Sequence, residues 1–329
     1  MATDTAPQSL AAIHRPVRAE LDATVEELGR IVRNDFPLIG GVNAHLLRLR
    51  GKLFRPALLL LAARATGTMD QRKVRLAAVV ELIHLATLVH DDSVDHSVLR
   101  RGQPTVNALF SHQVAVIMGD YLYSRAIQQL VELQEWEPMQ VMSRVTNEMT
   151  VGEMRQLEAH DRLAYGLESY ERLIRAKTAS LVSAACELGG IDAGASLRAT
   201  LLRFGHGLGM AFQITDDVLD YTETEDVTGK PSGHDLKEHK ITLPLIAALP
   251  ELDAAERATV DALMDDADPS DERVAEVIAI VQARGGVESA RERAQGFARA
   301  AERELEALSE GEARDALLAA LAYAVERRH

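Results

Sequence analysis

Apolar residues recur at three- and four-residue spacings along almost the whole chain, which is the periodicity of amphipathic helices. In 10–32 the positions Ile13, Val17, Leu21, Val25 and Leu28 keep that spacing. The same pattern predicts helices over 56–66, 71–95, 114–133, 138–160, 167–188 and 196–220. Shorter or more polar ones follow over 243–249, 254–264, 271–283, 287–308 and 311–327. Gly and Pro clusters punctuate the pattern at Gly40-Gly41, Gly102-Gln103-Pro104, Gly189-Gly190, 229–233 and Gly285-Gly286. With no repeat of fixed period and no low-complexity linker, residues 1–329 read as a single all-α domain.

Composition strengthens the helical reading. Hydrophobic residues make up 47% of the chain and aromatics only 4%, so the core must be built from Ala, Leu, Val and Ile. Ala and Leu are strong helix formers, whereas the residues that favour strands are sparse. A formal net charge of −14 argues against a nucleic-acid partner, because a phosphate backbone is held by an excess of Lys and Arg. An acidic protein can still hold an anionic substrate where cations or metals are concentrated locally. The single cysteine, Cys186, excludes an intramolecular disulfide and a cysteine-based zinc cluster, and its apolar surroundings predict a buried structural thiol. The longest apolar run, 57–63, is far short of the roughly 20 residues of a membrane span. The N-terminus lacks a secretory pattern, so a cytoplasmic protein with no transmembrane segment is expected.

Two aspartate clusters carry the chemistry. Asp91-Asp92-Ser93-Val94-Asp95 closes one long apolar helix, and Asp216-Asp217-Val218-Leu219-Asp220 closes another. Positions i, i+1 and i+4 of an α-helix fall within an arc of about 100°, so each set of three carboxylates is expected to face one way. Such crowding is costly without a countercharge. Magnesium would supply it, since that ion typically takes one or two carboxylates, waters and substrate phosphate oxygens. One cluster alone reads as a solvated acidic helix end. Two of them, each with basic residues nearby, read as the walls of a metal-holding cleft.

The basic residues are the other half of the pattern. Lys52 and Arg55 stand beside a helix start, a natural anion site. Arg100 and Arg101 follow the first cluster, Lys177 sits beside Thr178 inside a helix, and Lys230 and Lys240 follow the second cluster. Each alone is an ordinary surface cation. Together they suggest two diphosphate pockets, one metal-bridged and one metal-free. His84 precedes Asp91 by seven residues, hence within about 20° of it and about 10 Å along the axis, on the same helix face. Gln213 shares the acidic face of its helix with Asp216.

These residues resemble the trans-isoprenyl diphosphate synthases, the polyprenyl synthetase family, and within it the long-chain bacterial members. The string ELIHLATLVHDDSVDHSVLRRG at 81–102 is similar to the family's first aspartate-rich region with its arginine pair. The stretch 209–240 is similar to the second, with Gln213, three aspartates, Gly229-Lys230 and Lys240. Gly119-Asp120-Tyr121-Leu122, Gly152-Glu153 and Lys177-Thr178 fall in the family's order between them.

The resemblance implies an isoprenoid-synthase-type helical bundle around an apolar cavity, acting as a homodimer in which 114–133 could form part of the interface. It implies magnesium, three ions per site, on Asp91 and Asp95 with Asp92 nearby, and on Asp216 with Asp217 and Asp220 nearby. Isopentenyl diphosphate would sit on Lys52, Arg55, His84 and Arg101. The allylic diphosphate would meet Arg100, Lys177, Lys230 and Lys240, with Thr178 and Gln213 beside the allylic cation. Ionisation of the allylic carbon–oxygen bond, attack by the isopentenyl double bond and proton loss would lengthen the chain by one isoprene unit. In the family, residues four and five before the first Asp form the floor that stops elongation. Here they are Thr87 and Ala86, neither bulky, and the first cluster carries no insertion, so a long polyprenyl product such as a quinone side chain is expected. On an ideal helix Thr87 adjoins the acidic face but Ala86 points away from it, and a floor from another helix would instead give a farnesyl- or geranylgeranyl-length product.

Three rivals are weaker. A class I terpene cyclase would carry an Asn/Asp-Ser/Thr-Glu second motif and has no use for the Lys52, Arg55 and Arg101 set. A non-catalytic partner subunit would have lost a cluster or a basic motif. A calcium scaffold would show an EF-hand-like loop. The tail from Asp253 onward suggests only packing, with Arg327 and Arg328 as exposed charges or as aids to closing the site.

Overall fold

Caps and packing together place the helix starts. In the computed structural model, which describes residues 10–48, 51–100, 102–158, 166–222 and 233–326, the main helices are α1 (Arg18–Ile31), α2 (Pro37–Arg48), α3 (Phe54–Ala65), α4 (Gln71–Val94), α5 (His112–Glu132) and α6 (Trp136–Glu158). They continue as α7 (Leu167–Ile174), α8 (Ser180–Gly189), α9 (Ala195–Thr222), α10 (His234–Lys237), α11 (Leu243–Ala248), α12 (Ala254–Asp265), α13 (Asp271–Ala283), α14 (Gly286–Glu304) and α15 (Glu312–Glu326). Asp70 starts α4 by accepting from the backbone N–H groups of Arg72 and Lys73, and Ser111 starts α5 by accepting from that of Val114. Asp253 and Glu256 form a reciprocal capping box on α12. Each such cap contributes about 0.5–2 kcal/mol.

The core forms two apolar clusters. The first joins α1 to α6 with α8 and α15, and the second joins α7 with α10–α14. Helices α9 and α14 belong to both: Leu201, Phe204 and Leu208 of α9 and Ala298 and Ala301 of α14 pack in the first, and Ile214, Val218 and Tyr221 of α9 and Ala290 and Ala294 of α14 in the second. The acidic end of α4 thus emerges from the first cluster and that of α9 from the second, and they meet at the seam between the clusters. Helix α4 is apolar nearly all round, as befits a helix packed on α1, α3 and α5 at once. Even Lys73 is buried there, its ammonium donating to the Leu188 carbonyl at 3.1 Å and to Asp192 at 2.8 Å. Cys186 is fully buried and burial pushes its thiol pKa up, as its apolar run predicts.

The structure departs from the periodicity in four places. The 10–32 helix breaks at Pro16, where a 3-10 turn (Arg15–Val17) separates Leu10–His14 from α1, because proline removes an amide and clashes with the preceding turn. Gly40-Gly41 punctuate nothing and lie inside α2, whose buried Val42 and Leu46 hold it against the core. A two-stranded antiparallel hairpin, β1 (Leu99–Arg100) and β2 (Gln103–Pro104), follows the first aspartate cluster. The helix predicted over 167–188 is continuous, but Arg175–Ala179 between α7 and α8 is a π-turn.

Candidate active site

The π-turn is the hinge of the site. Its wider turn inserts a residue into the helical register, and such turns recur at functional sites. It is possible here because two glycines let neighbouring helices close in: a Cβ on Gly152 of α6 would lie 2.7 Å from the Ala176 Cβ, and one on Gly209 of α9 would lie 2.6 Å from the Ala179 Cα. Lys177 then reaches α4 and α6, its ammonium 2.8 Å from Glu153 and 3.8 Å from Asp91. Thr178 turns to α9 and donates its hydroxyl to the Gln213 Oε1 at 2.8 Å. One turn of helix thus ties the first aspartate cluster to the second.

The expectation that each cluster faces one way is only partly met, because tertiary partners divide the carboxylates. In the first cluster Asp92 is buried and accepts from the Arg100 Nε at 2.8 and 2.9 Å, with the Arg100 Nη2 at 2.7 Å. Asp91 is half-buried and Asp95, the C-cap of α4, is exposed. In the second cluster Asp217 is buried, accepting from the Tyr170 hydroxyl at 2.6 Å and the Gln213 Nε2 at 2.9 Å. The Asp220 carboxylate accepts from the backbone N–H groups of His234 and Asp235, both at 3.0 Å, and so caps α10. Asp91 lies 3.8 Å from the Lys177 ammonium, Asp95 is exposed and Asp216 is half-buried.

Electrostatics at the seam are unbalanced toward negative charge. Burial pushes the Asp91 carboxyl up to about 6, with Lys177 opposing and Glu153 and Asp95 adding to the rise. Burial together with the Asp220 charge lifts Asp235 to about 6, against the pull of Lys240 and His234. Burial, with the Asp235 charge, raises the Asp217 pKa above its ordinary value, while the bonds it accepts from Tyr170 and Gln213 favour the ionised carboxylate. Lys240 donates to Glu238 at 2.6 Å; burial lowers its pKa, but Glu238, Asp235 and Asp95 outweigh that and raise it. Lys177 beside Asp91 and Thr178 on Gln213 place the two clusters on a common space.

A second group assembles on the far side of Gln213. The Arg55 Nη1 lies 3.1 Å from the His84 Nε2, joining the start of α3 to the acidic face of α4. Lys52 donates to the Tyr323 hydroxyl at 2.9 Å and lies 5.6 Å from that ring's centroid. Phe54 stacks on Phe212, the neighbour of Gln213, with centroids 5.6 Å apart. Leu53, His96 and His239 adopt φ of 48°, 52° and 56°, and each adjoins a site residue: Lys52, Asp95 and Lys240. Left-handed backbone at a non-glycine residue costs about 1–2 kcal/mol, strain that the surrounding structure holds in place here.

Arg101, Lys230, Arg327 and Arg328 lie outside the described residues. Ala86 is buried in the first apolar cluster, while Thr87 is half-buried and donates to the His84 carbonyl at 2.8 Å. Five participants were not given a role from the sequence: Glu153, Tyr170, Asp235, Glu238 and Tyr323. Tyr170 precedes Lys177 by seven residues and Gln213 precedes Asp217 by four, spacings that hint at shared faces. Nothing local points to Tyr323, whose partner Lys52 is 271 residues away along the chain.

Among the described residues no three carboxylate, imidazole or thiol side chains converge into a ready-made metal cage. The donors nonetheless fit magnesium. They are hard carboxylate oxygens crowded enough that Glu153 and Asp95 add to the rise in the Asp91 pKa, and that ion is typically completed by water and substrate phosphate rather than by protein.

Known proteins resemble this chain in sequence and in fold. The family model for the polyprenyl synthetases matches residues 37–281. The heptaprenyl diphosphate synthase component 2 of Geobacillus stearothermophilus is 41% identical over 266 residues, 76% of this chain and 83% of that protein. The all-trans-nonaprenyl-diphosphate synthase (geranyl-diphosphate specific) of Rhodobacter capsulatus is 38% identical over 95% of this chain and 96% of its own length. The crystal structure of a polyprenyl synthase from Caulobacter crescentus CB15, complexed with calcium and isoprenyl diphosphate, superposes with a TM-score of 0.92 at 30% identity, covering 99% of this chain and 100% of that one. With the aspartate clusters, the π-turn and the cationic group on one seam, and with these matches, the chain belongs to the polyprenyl synthetase family of trans-prenyltransferases.

Proposed function

We propose that the protein condenses isopentenyl diphosphate with an allylic diphosphate to give an all-trans, long-chain polyprenyl diphosphate, a precursor of quinone side chains. The observation that carries this reading is the π-turn, which joins Lys177 to Asp91 and Thr178 to Gln213 at the meeting of two carboxylate clusters. The relatives' long-chain names, hepta- and nonaprenyl, support the product length.

Asp91, Asp95 and Asp216 would hold magnesium, three ions in all, with Asp92, Asp217 and Asp220 positioning the clusters. When bound, the ions neutralise charge on the departing diphosphate. Arg100, Lys177, Lys230 and Lys240 offer fixed positive charge to the same group. In the described structure Lys177 and Lys240 are held by Glu153 and Glu238, partners that a diphosphate would replace. Lys52, Arg55, His84 and Arg101 hold the isopentenyl diphosphate, so that two like-charged substrates are kept apart by using different countercharges. Thr178 and Gln213 present oxygens to the allylic cation. The growing tail runs past Thr87, with Ala86 behind it.

The same reading makes the protein a single-domain cytoplasmic homodimer. Val116, Ile117, Tyr123 and Val131 on α5 and Val151 and Met154 on α6 are exposed apolar residues, with Ile117 65% and Met154 62% exposed. Large apolar side chains left exposed in number on two helices are what an interaction face would use. No described helix is long and apolar enough to cross a membrane.

The test is mass analysis of products from purified protein with magnesium, isopentenyl diphosphate and each of the dimethylallyl, geranyl, farnesyl and geranylgeranyl diphosphates. A product series ending at seven or more isoprene units supports the whole reading. Arrest at farnesyl or geranylgeranyl length keeps the reaction and refutes the floor, and cyclic hydrocarbon without elongation refutes the reaction. No turnover by the lone chain, restored by a second and different subunit, would refute the homodimer.

A further inference from the structure

Tyr170 is buried rather than exposed in the cleft. It is 2% exposed and packed in the second apolar cluster beside Ile174, Ile214 and Val218. Its hydroxyl nevertheless begins a chain of hydrogen bonds that ends in the site: Tyr170 to Asp217 Oδ2 at 2.6 Å, Gln213 Nε2 to Asp217 Oδ1 at 2.9 Å, and Thr178 to Gln213 Oε1 at 2.8 Å. Both ends of this chain lie on the continuous helix that contains the π-turn, and both middle members lie on α9. The four residues form a closed bracket between two helices.

The bracket has a direction, and Asp217 sets it. A threonine hydroxyl can donate or accept, so Thr178 alone would tolerate either end of the Gln213 amide. A carboxylate only accepts, so the amide N–H must face Asp217 and the carbonyl oxygen must face Thr178. Asp217 can do this only if its own plane is fixed. Being fully desolvated, it needs a partner on its second oxygen, and the short bond from Tyr170 provides one.

We infer that Tyr170 is a positioning residue for prenyl transfer, holding Asp217 so that Gln213 presents its carbonyl oxygen, and not its N–H, to the allylic cation. This rests on the proposed prenyl transfer. Tyr170 sharpens that reading by fixing which end of a neutral amide meets a positive charge. The bracket matters to ionisation and not to ground-state binding, because the cation exists only after the diphosphate leaves.

The experiment is a double-mutant cycle on steady-state elongation with saturating magnesium. Tyr170→Phe is expected to lower kcat by about tenfold to a hundredfold, the range for losing one charge-assisted hydrogen bond, with KM for both diphosphates within about twofold. In a Gln213→Ala background the same change is expected to cost less than about twofold, since the group it orients is gone. Equal losses in both backgrounds, a rise in either KM, or a rise in the magnesium concentration that Tyr170→Phe needs for saturation each overturn the inference. Should Tyr170→Phe not fold, difluorotyrosine at position 170 keeps the ring and strengthens the hydrogen bond. A kcat change that is present with Gln213 and absent in Gln213→Ala then supports the bracket, and a change that persists without Gln213 overturns it. A wild-type chain that makes no elongated product would refute the proposed function, and that outcome is distinct from any of these.

Discussion

Replacing Gly209 by Ala tests whether close helix approach at the π-turn is what assembles the site. The added Cβ would stand 2.6 Å from the Ala179 Cα, 2.9 Å from its Cβ and 3.3 Å from the Val182 Cβ. Carbon atoms rest at about 3.5–4.0 Å, so α9 and the π-turn must part by roughly 1 Å. Two of these atoms belong to backbone or to a stub side chain, and no rotamer change relieves the contact. The Thr178–Gln213 bond, 2.8 Å in the native protein, lies in the same gap. A separation of roughly 1 Å would carry it past the hydrogen-bonding range. Misplacement on that scale costs about a hundredfold in rate. Stability should change much less. Overpacking costs about 1–3 kcal/mol, while Ala in place of Gly within a helix returns about 1 kcal/mol. The expected result is a kcat near one hundredth of wild type with Tm lowered by only a few degrees, measured by isopentenyl diphosphate incorporation and thermal melting. Wild-type kcat at unchanged Tm would refute the close-approach argument. A collapse of Tm with no folded protein left would show that the glycine serves the fold alone.

Further outcomes follow from the same contacts. Asp92→Asn should destabilise the protein by about 1–3 kcal/mol in denaturant titration, because it unpairs an Arg100 guanidinium that is 34% exposed and so partly rehydrated; an unchanged midpoint would refute the pair's role. His206 is held neutral by burial and by Arg175, against Glu171, so its folded pKa lies below 6.5. The unfolded chain therefore binds the proton more readily, and the stability present above pH 6.5 is lost as pH falls below it. His206→Gln should flatten the Tm slope between pH 7.5 and 5.5, and an unaltered slope would refute this. Thr87→Phe should shorten the product at little cost in Tm, whereas Ala86→Phe should lose about 1–3 kcal/mol whatever its product, because it crowds the buried core. Equal effects of the two on Tm would show that the two positions do not differ in packing.

What the sequence determined by itself was whatever depends on neighbours along the chain. Helices 71–95, 196–220 and 271–283 lie within two residues of the structural ones, because their apolar periodicity and caps are local. The two aspartate clusters, with His84 and Gln213 on their helix faces, were legible from helical spacing, and the roles of Arg55, Arg100, Lys177 and Thr178 from the family resemblance. Only the tertiary structure decided which carboxylates are turned to partners in the interior. Asp92, Asp217 and Asp220 are identical in type to their neighbours, yet Arg100, Tyr170 and the start of α10 claim them. The π-turn at Arg175–Ala179 has no sequence signature, since it exists to satisfy contacts with Gly152 and Gly209 from other helices. Tyr323 joined Lys52 across nearly the whole chain for the same reason. Periodicity records which face of a helix is apolar, but the partner that face meets, and hence the side chains left to do chemistry, is set by packing between segments distant in sequence.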